Sequence, residues 1–457
     1  MFDLLDRQVR LTGNQKKIVA AAIVGDALEF FDYFLIGFVL AFIIGPWKLT
    51  FGQSAIVLLS SGIGAILGAI FWGWMADRIG RRKVFIATVL NFSIATGALC
   101  FTPDNGWVYL MLFRFFVGFG VGGLYCVDLP LVQEFMPSSK RGMIGGLVTV
   151  FIPIGVGIGA VLGAYLAPAV GWRGLFAVGV LPALATLLVR LWVPESPRWL
   201  VRQGRYEEAR NSLAWAMEVD PNTLPLPTAD TAPISQSRWL DLFKHPRSLI
   251  VSWIGNLGAQ TGVYGVTLWA PTLFVLLLRV SPAQASKMMI ALTVAGVIGR
   301  ISFSFLSEQL GRRASGGLLG FGAGALIVLA GVMHSTFVGG ISAFWLILIA
   351  AYFFADGGFA VVGPYAAEVW PSHLRTSGMG SAYGFGGVGK IIGPLGLALI
   401  VGSHNFVKPD VPLNAIPTAF CYLGAWYILA GAVYLLLGFE TKGRSIEQID
   451  RALARAA

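Results

Sequence analysis

Charge is what this chain has least of. Only 12% of its 457 residues are Asp, Glu, Lys or Arg, while 56% are hydrophobic, and the mean hydropathy is +0.74. A water-soluble domain carries about 25% charged residues, so a soluble globule is excluded and an integral membrane protein is expected. Cysteine is nearly absent as well. Cys100, Cys126 and Cys421 fall within or at the edge of apolar stretches, show no metal or redox spacing, and read as small packing residues. The four histidines, His245, His334, His373 and His404, sit at or near loops. With no nucleophile beside a base, no metal-ligand spacing and no phosphate-binding loop, neither an enzyme nor a bound cofactor or metal is expected. A sensor is disfavoured because no long terminal signalling domain is present, and the start, Met1 to Lys17, lacks a small-residue cleavage site for a removable signal peptide.

The net charge of +10 invites a nucleic-acid partner, but the positions of the basic residues exclude one. With a cytoplasmic N-terminus, 24 Lys and Arg fall in loops on that side and five on the other, namely Lys48, Arg173, Arg279, Lys287 and Lys408. This asymmetry is the positive-inside pattern of a multi-pass protein of the inner (plasma) membrane with both termini in the cytoplasm. Twelve apolar stretches of about 20 residues, the length that crosses roughly 30 Å of hydrocarbon, run from the first near 17–45 to the last near 415–438. The expected fold is all-α, with twelve transmembrane helices in two pseudo-symmetric six-helix bundles. The expected divisions are 1–193 for the first bundle, 194–246 for a Pro-broken cytoplasmic linker with short helices, 247–438 for the second bundle and 439–457 for a cytoplasmic tail. A monomer in a lipid bilayer is expected.

What is present in abundance is glycine, with 58 residues, and a stretch written twice. Gly73-Trp-Met-Ala-Asp77-Arg78-Ile-Gly80-Arg81-Arg82 returns 231 positions later as Ser304-Phe-Leu-Ser-Glu308-Gln309-Leu-Gly311-Arg312-Arg313. Glu134-Phe-Met-Pro137 through Arg141 returns as Glu368-Val-Trp-Pro371 through Arg375, and Pro194-Glu195-Ser-Pro-Arg198 is echoed by Phe439-Glu440-Thr-Lys442. A duplicated polytopic chain with charges kept at matching helix ends is the pattern of a carrier whose halves rock against each other. Glycines clustered inside the spans let helices approach closely where lipid supplies no hydrophobic drive.

Charges inside spans carry the sharpest functional signal, because each costs about 2.5–3.5 kcal/mol at the bilayer centre on insertion scales unless it faces a cavity or partner. The first span holds Asp26, Glu29 and Asp32 at steps of three, within one broad helix face. Others hold Arg114, Asp128, Arg300, Asp356 and Lys390. Movement of a guanidinium relative to a buried carboxylate switches its proton affinity, so Asp32, Arg114 and Glu29 are the expected proton-coupling residues. The plain alternative is a static ion pair between the first and fourth spans.

These residues carry a family resemblance. Gly73 to Lys83 resembles the loop between the second and third helices of the major facilitator superfamily. Pro194-Glu-Ser-Pro-Arg-Trp-Leu200, Glu440-Thr-Lys-Gly443 and Arg114-Phe-Phe-Val-Gly118-Phe-Gly120 are similar to motifs of its sugar-porter branch, and Phe31-Asp32-Tyr33 falls where proton symporters of that branch carry an aspartate. The resemblance runs over practically the whole chain. It implies proton-coupled transport by alternating access.

Departures from the branch narrow the expected substrate. Sugar carriers show a glutamine pair in the seventh helix; here only Gln260 remains, in a run with Tyr264, Trp269 and Pro271 that is more similar to bacterial aromatic-acid, nicotinate and metabolite:proton symporters. The resemblance therefore implies import of a small anionic organic acid with protons, a sugar or polyol being the alternative. The expected substrate contacts are Gln260, Tyr264, Trp269, Arg300, Asp356, Tyr383 and Lys390, with Lys390 and Arg300 supplying positive field and the aromatics packing on the substrate's body. The alternative for Lys390 is a pair with Asp356. A cytoplasmic latch is expected from Asp77, Glu134, Glu195, Glu308, Glu368 and Glu440 pairing with Arg78, Arg82, Arg141, Arg198, Arg312 and Arg375 across that face. Exposed pairs are worth about 0–1 kcal/mol each, which suits a latch that opens.

Overall fold

The computed structural model of the chain describes residues 2–137, 140, 144, 151–191, 193–226, 239–371, 374–407 and 413–442, with side chains placed for all of these except 77, 124–130, 181–191, 239, 375, 376 and 413. Asp77, Arg141 and Arg375, like Cys126, Asp128 and the tail from Gly443, therefore lie outside the described residues or side chains.

The architecture is helical throughout, with one short β-ribbon, Phe337–Val338 paired to Ile341–Ser342. In the first half α1 is Phe2–Asp6, α2 Gly13–Ile43, α3 Phe51–Ile79, α4 Arg81–Leu99, α5 Trp107–Glu134, α6 Ile152–Val161 and α7 Ala167–Leu191. A π-helical turn, Leu162–Leu166, joins α6 to α7, and Gly171 at φ 74° breaks the latter where the fifth span gives way to the sixth. Two short helices follow, α8 (Pro197–Arg202) and α9 (Tyr206–Met217). The second half holds α10 (Pro246–Leu278), α11 (Pro282–Leu310), α12 (Arg312–Val332), α13 (Ala343–Gly357), α14 (Phe359–Glu368), α15 (Arg375–Gly387), α16 (Gly389–Val401) and α17 (Ile416–Leu436). Helices α13 and α14 make up the tenth span, and α15 and α16 the eleventh. The twelve spans form two six-helix bundles. By length and composition alone, eight helical segments among the described residues are apolar enough to cross a membrane. Helix α2 has the length but is interrupted by its three carboxylates.

Local sequence explains the helix ends. Thr12 and Thr50 each form a capping box with the glutamine three residues on, Gln15 and Gln53. Gly80 (φ 104°) and Gly311 (φ 89°) turn the chain between α3 and α4 and between α11 and α12, at values an L side chain rarely adopts. The duplicated loop is thus a duplicated tight turn.

Helix packing uses the intramembrane glycines. A Cβ on Gly118 would lie 2.0 Å from the Ser61 carbonyl oxygen, and one on Gly122 2.0 Å from that of Ala65, so α3 and α5 touch backbone to backbone. The second half repeats the device: a Cβ on Gly299 of α11 would lie 2.0 Å from the Phe353 carbonyl oxygen of α13.

The N-terminal segment does not lie apart. Leu5 packs with Leu213, Ala214 and Leu224, Thr12 Oγ1 donates to the Ala216 carbonyl at 2.5 Å, and Asn14 Nδ2 donates to that of Trp215 at 2.8 Å. Helix α9 is thereby fastened to the start of α2.

Candidate functional site

Three spans that cross between the halves bring a cluster to mid-depth. Glu29, Tyr33 and Phe34 come from α2, Tyr264 from α10 and Lys390 from the start of α16. Tyr264 lies edge-on to Tyr33 at 5.5 Å between ring centroids and stacked on Phe34 at 5.2 Å. The Lys390 ammonium sits 5.1 Å from the Tyr264 ring centroid and 5.5 Å from that of Tyr33, within cation–π reach of both. Among the described residues it forms no hydrogen bond or ion pair. The anticipated alternative, Lys390 on Asp356, is not what forms: Arg300 takes Asp356 at 2.9 Å, in a buried pair with its guanidinium 5.1 Å from the Phe359 ring. Arg300 and Asp356, with Glu29, act on the Tyr264 phenol, and Tyr33 and Tyr383 are further titratable neighbours.

Two residues expected at the substrate site are placed differently from one another. Gln260 is buried against Gly386, with Nε2 where a Cβ on that glycine would come within 2.5 Å, so it lies at the α10–α15 contact. Trp269 is wholly buried, donates Nε1–H to the Pro394 carbonyl at 3.1 Å and packs against Phe51 at 5.6 Å. It is a pillar between spans, with no face turned to a ligand, because its aromatic bulk is used up in joining α10 to α16 and α3. Tyr33, Phe34 and Thr96 were not anticipated; Tyr33 follows Asp32 directly and would have been found by asking which aromatic residues share the face of Glu29.

Asp32 and Arg114 lie together, but not as a carboxylate–guanidinium pair. Arg114, fully buried, donates Nη1 to the main-chain oxygen of Asp32 at 2.9 Å and Nη2 to that of Tyr33 at 2.6 Å. The Asp32 carboxylate accepts from Thr96 Oγ1 at 2.7 Å through Oδ2, while Oδ1 is buried with no partner. Both contacts stay within the first half.

At the basic face the duplicated motifs build two copies of one arrangement. Glu195 accepts from the main-chain N–H groups of Arg81 and Arg82, both at 3.0 Å, and so caps α4. Glu440 caps α12 in the same way, from Arg312 N at 2.8 Å and Arg313 N at 3.3 Å. Glu134 pairs with Arg81 at 2.5 Å and accepts from Ser196 Oγ; Glu368 pairs with Arg312 at 3.4 Å and accepts from Thr441 Oγ1 at 2.6 Å. Glu308 pairs with Arg312 at 2.6 Å. Among the described residues, the partners of these carboxylates differ from the expected bridging across the face: Glu134, Glu195, Glu308, Glu368 and Glu440 are taken up at the helix ends of the bundle to which each is joined. The cause is geometric, since each helix N-terminus offers unpaired N–H donors nearer than an arginine of the other bundle. Arg78 lies over Trp74 at 4.0 Å, Arg198 over Phe2 at 4.7 Å, and Arg82 contributes its main chain.

The halves meet at the opposite face. Phe51 N donates to Asn405 O at 2.9 Å, Gly52 N to Ser403 O at 2.8 Å and Val407 N to Leu49 O at 2.8 Å, with Thr50 and Phe406 in an antiparallel bridge. Below it, Lys390 packs on Gly62, whose Cβ would come 3.1 Å from that of Lys390.

Comparison with known proteins bears on the family and the fold. The family described as "Sugar (and other) transporter" matches residues 17–453. The chain is 31% identical to the niacin transporter NiaP of Acinetobacter baylyi over 92% of each protein, and 26% identical to the cis,cis-muconate transport protein of the same organism over 81% of each. Among solved structures, the partially occluded inward-open form of the xylose transporter XylE from E. coli superposes with a TM-score of 0.74, covering 95% of this chain and 100% of that one at 22% identity. At that identity the likeness speaks to the fold.

Proposed function

Because the chain belongs to the family of sugar (and other) transporters, we propose that it is a proton-coupled symporter that imports a small organic acid, foremost an aromatic carboxylate, by alternating access. The observation that carries this reading is the Lys390 ammonium, without an ion-pair partner among the described residues and set between the rings of Tyr33 and Tyr264 at the meeting of the two halves. An unpaired cation at mid-membrane depth is a costly feature, and a carboxylate on a flat ring would meet both of its requirements: the charge on Lys390 and the ring faces on Tyr33, Phe34 and Tyr264. Niacin and muconate, named for two relatives, are both carboxylic acids.

In this reading Asp32 carries the proton, with its free Oδ1 as the acceptor atom and Thr96 as the donor that holds Oδ2. Arg114 fixes the α2 backbone around it. Arg300 and Asp356 neutralise each other beside Tyr264, where Tyr383 completes the wall, and leave recognition of the anion to Lys390. The basic face is cytoplasmic, the linker 194–246 connects the two bundles in sequence, and the chain acts as a monomer in the inner membrane. Glu134, Glu195, Glu368 and Glu440 would stiffen each half for rigid-body rocking, so that the gate is made of backbone contacts at the other face.

Uptake into proteoliposomes with an imposed proton gradient tests the reading. Carboxylates are expected to accumulate and sugars not to compete; Asp32→Asn should exchange substrate without accumulating it, and Lys390→Ala should lose carboxylate recognition. Accumulation by Asp32→Asn would overturn the proton assignment, and intact carboxylate recognition in Lys390→Ala the anion site.

A further inference from the structure

Two opposite charges stand on either side of the seam between the halves without touching. Glu29, near the midpoint of the 31-residue α2, is 1% exposed, and its Oε2 has no hydrogen-bond partner. Lys390 belongs to the other half and is likewise without an ion-pair partner among the described residues. Yet it is one of the two charged groups that act on Glu29, the other being Asp26 one turn earlier on the same helix. A lone carboxylate at this depth is costly, and among the described residues the ammonium is the only cation acting on it.

We propose that Glu29 is a resident counter-carboxylate for Lys390, displaced by the carboxylate of the substrate and taking up a proton when it is displaced. The inference rests on the organic-acid reading above and adds a second proton to the one on Asp32: Glu29 takes up its proton only together with the substrate, and both protons are needed for accumulation. In the empty site the Glu29 carboxylate balances the ammonium. When a substrate carboxylate arrives, Asp26, Glu29 and the substrate would crowd one cation with negative charge. A proton from the water on the side of arrival, bonding to a Glu29 oxygen, removes that crowding. No other bond forms or breaks, and the net charge of the site is the same empty and loaded. On the release side the substrate leaves, the proton departs to water, and Glu29 balances Lys390 again.

The arrangement distinguishes Glu29 from Asp32. The Asp32 carboxylate is held by Thr96, and its main chain by Arg114, both inside the first half. Of the two carboxylates only Glu29 senses a cation belonging to the second half, so its charge balance depends on what occupies the seam. The other titratable groups around it are Asp26 and Tyr33 on α2 and Tyr264 on α10; Tyr33 also senses Lys390 and Arg114, and Tyr264 also senses Arg300 of α11 and Asp356 of α13.

The test measures binding of nicotinate, and of nicotinamide as a neutral probe of the same ring, to the purified full-length protein between about pH 6 and about pH 8, where a carboxylic acid in solution is ionised. In wild type, nicotinate affinity should weaken as pH rises, by up to about tenfold per unit, because binding takes up a proton; nicotinamide should show no such dependence. Glu29→Gln, which mimics the protonated residue, should bind nicotinate at the higher pH as tightly as wild type does at the lower, with a flat profile, and in proteoliposomes should exchange nicotinate without accumulating it. Glu29→Asp, with shorter reach toward Lys390, should keep a pH profile of reduced slope, which a merely structural role would not produce. A Glu29→Gln protein with the wild-type pH profile and wild-type accumulation overturns the proposal. Wild type that binds neither nicotinate nor any other carboxylate overturns the organic-acid reading itself, and this inference with it.

Discussion

Val407 donates its main-chain N–H to the carbonyl of Leu49 at 2.8 Å, tying the loop after the eleventh span to the loop after the first. With the parallel bonds from Phe51 and Gly52, this is a closure made of peptide groups, and side-chain chemistry enters it only through space. Such a seam is indifferent to salt and pH, and it zips or parts as a unit.

The closure has a weak point at Gly52, where a Cβ would lie 2.8 Å from the Ser403 carbonyl oxygen. Gly52→Ala is expected to disfavour the closed face by about 1–3 kcal/mol, the usual scale of overpacking, which corresponds to roughly 5- to 150-fold in the closed-to-open ratio. Leu49 is 2% exposed in the closed arrangement. In a background without the three native cysteines, Leu49→Cys should therefore react with a water-soluble maleimide faster by that factor when Gly52→Ala is added. Equal rates would mean that the seam does not set the equilibrium.

Glu195 and Glu440 are expected to stabilise their own bundles and nothing across them. Each receives main-chain N–H groups at the start of a helix, and loss of a cap costs about 0.5–2 kcal/mol. Glu195→Ala and Glu440→Ala should each lower the thermal unfolding midpoint in detergent. Because the two caps share no partner, the double variant should be additive within about 0.5 kcal/mol. A coupling well beyond that would restore the idea of a latch joining the halves.

These caps also show where reading the sequence succeeds and where it stops. The duplication was plain in the sequence, and so were the spans, since apolar length and repeated turn glycines are local properties. The family and fold followed from them. The partners of the acidic residues were not legible: Glu195 next to several arginines reads as an ion-pair former, while the Gly80 turn in fact presents it with the bare N–H groups of α4. Arg81 rather than Arg78 or Arg82 reaches Glu134 because of where it sits on the first turn, which is a matter of side-chain direction. Trp269 read as a ligand contact because aromatic residues serve both pockets and cores, and only packing distinguishes the two. Lys390 was legible as a charge in the wrong place; its lack of a salt bridge among the described residues was not.

Glycine substitutions should separate packing from turn and surface roles. Gly118→Ala places a methyl 2.0 Å from the Ser61 oxygen, a distance no relaxation of a flexible side chain can relieve, because the obstacle is backbone. The α3–α5 contact is expected to fail, with loss of folded protein on size-exclusion chromatography. Gly73→Ala, in α3 with nothing within 4 Å of the added carbon, should instead gain up to about 1 kcal/mol from helix propensity. If both variants behaved alike, the backbone approach of these helices would be wrong.

Arg114 offers the sharpest distinction between an ion pair and a clamp. Its two Nη groups hold the main-chain oxygens of Asp32 and Tyr33, which also accept within α2, so Arg114→Ala removes two charge-assisted hydrogen bonds worth about 1.5–3 kcal/mol each. Arg114→Lys should recover little, because an ammonium lacks the planar fork that spans adjacent carbonyls. Were the guanidinium chiefly a counter-ion for the Asp32 carboxylate, Asp32→Asn would remove the stranded charge and rescue Arg114→Ala. With a clamp the two losses lie on different atoms, and the double variant should be no more stable than Arg114→Ala alone. Thermal unfolding of the two single variants and the double variant decides the matter, and a rescue of more than about 1 kcal/mol would return the pair to electrostatics.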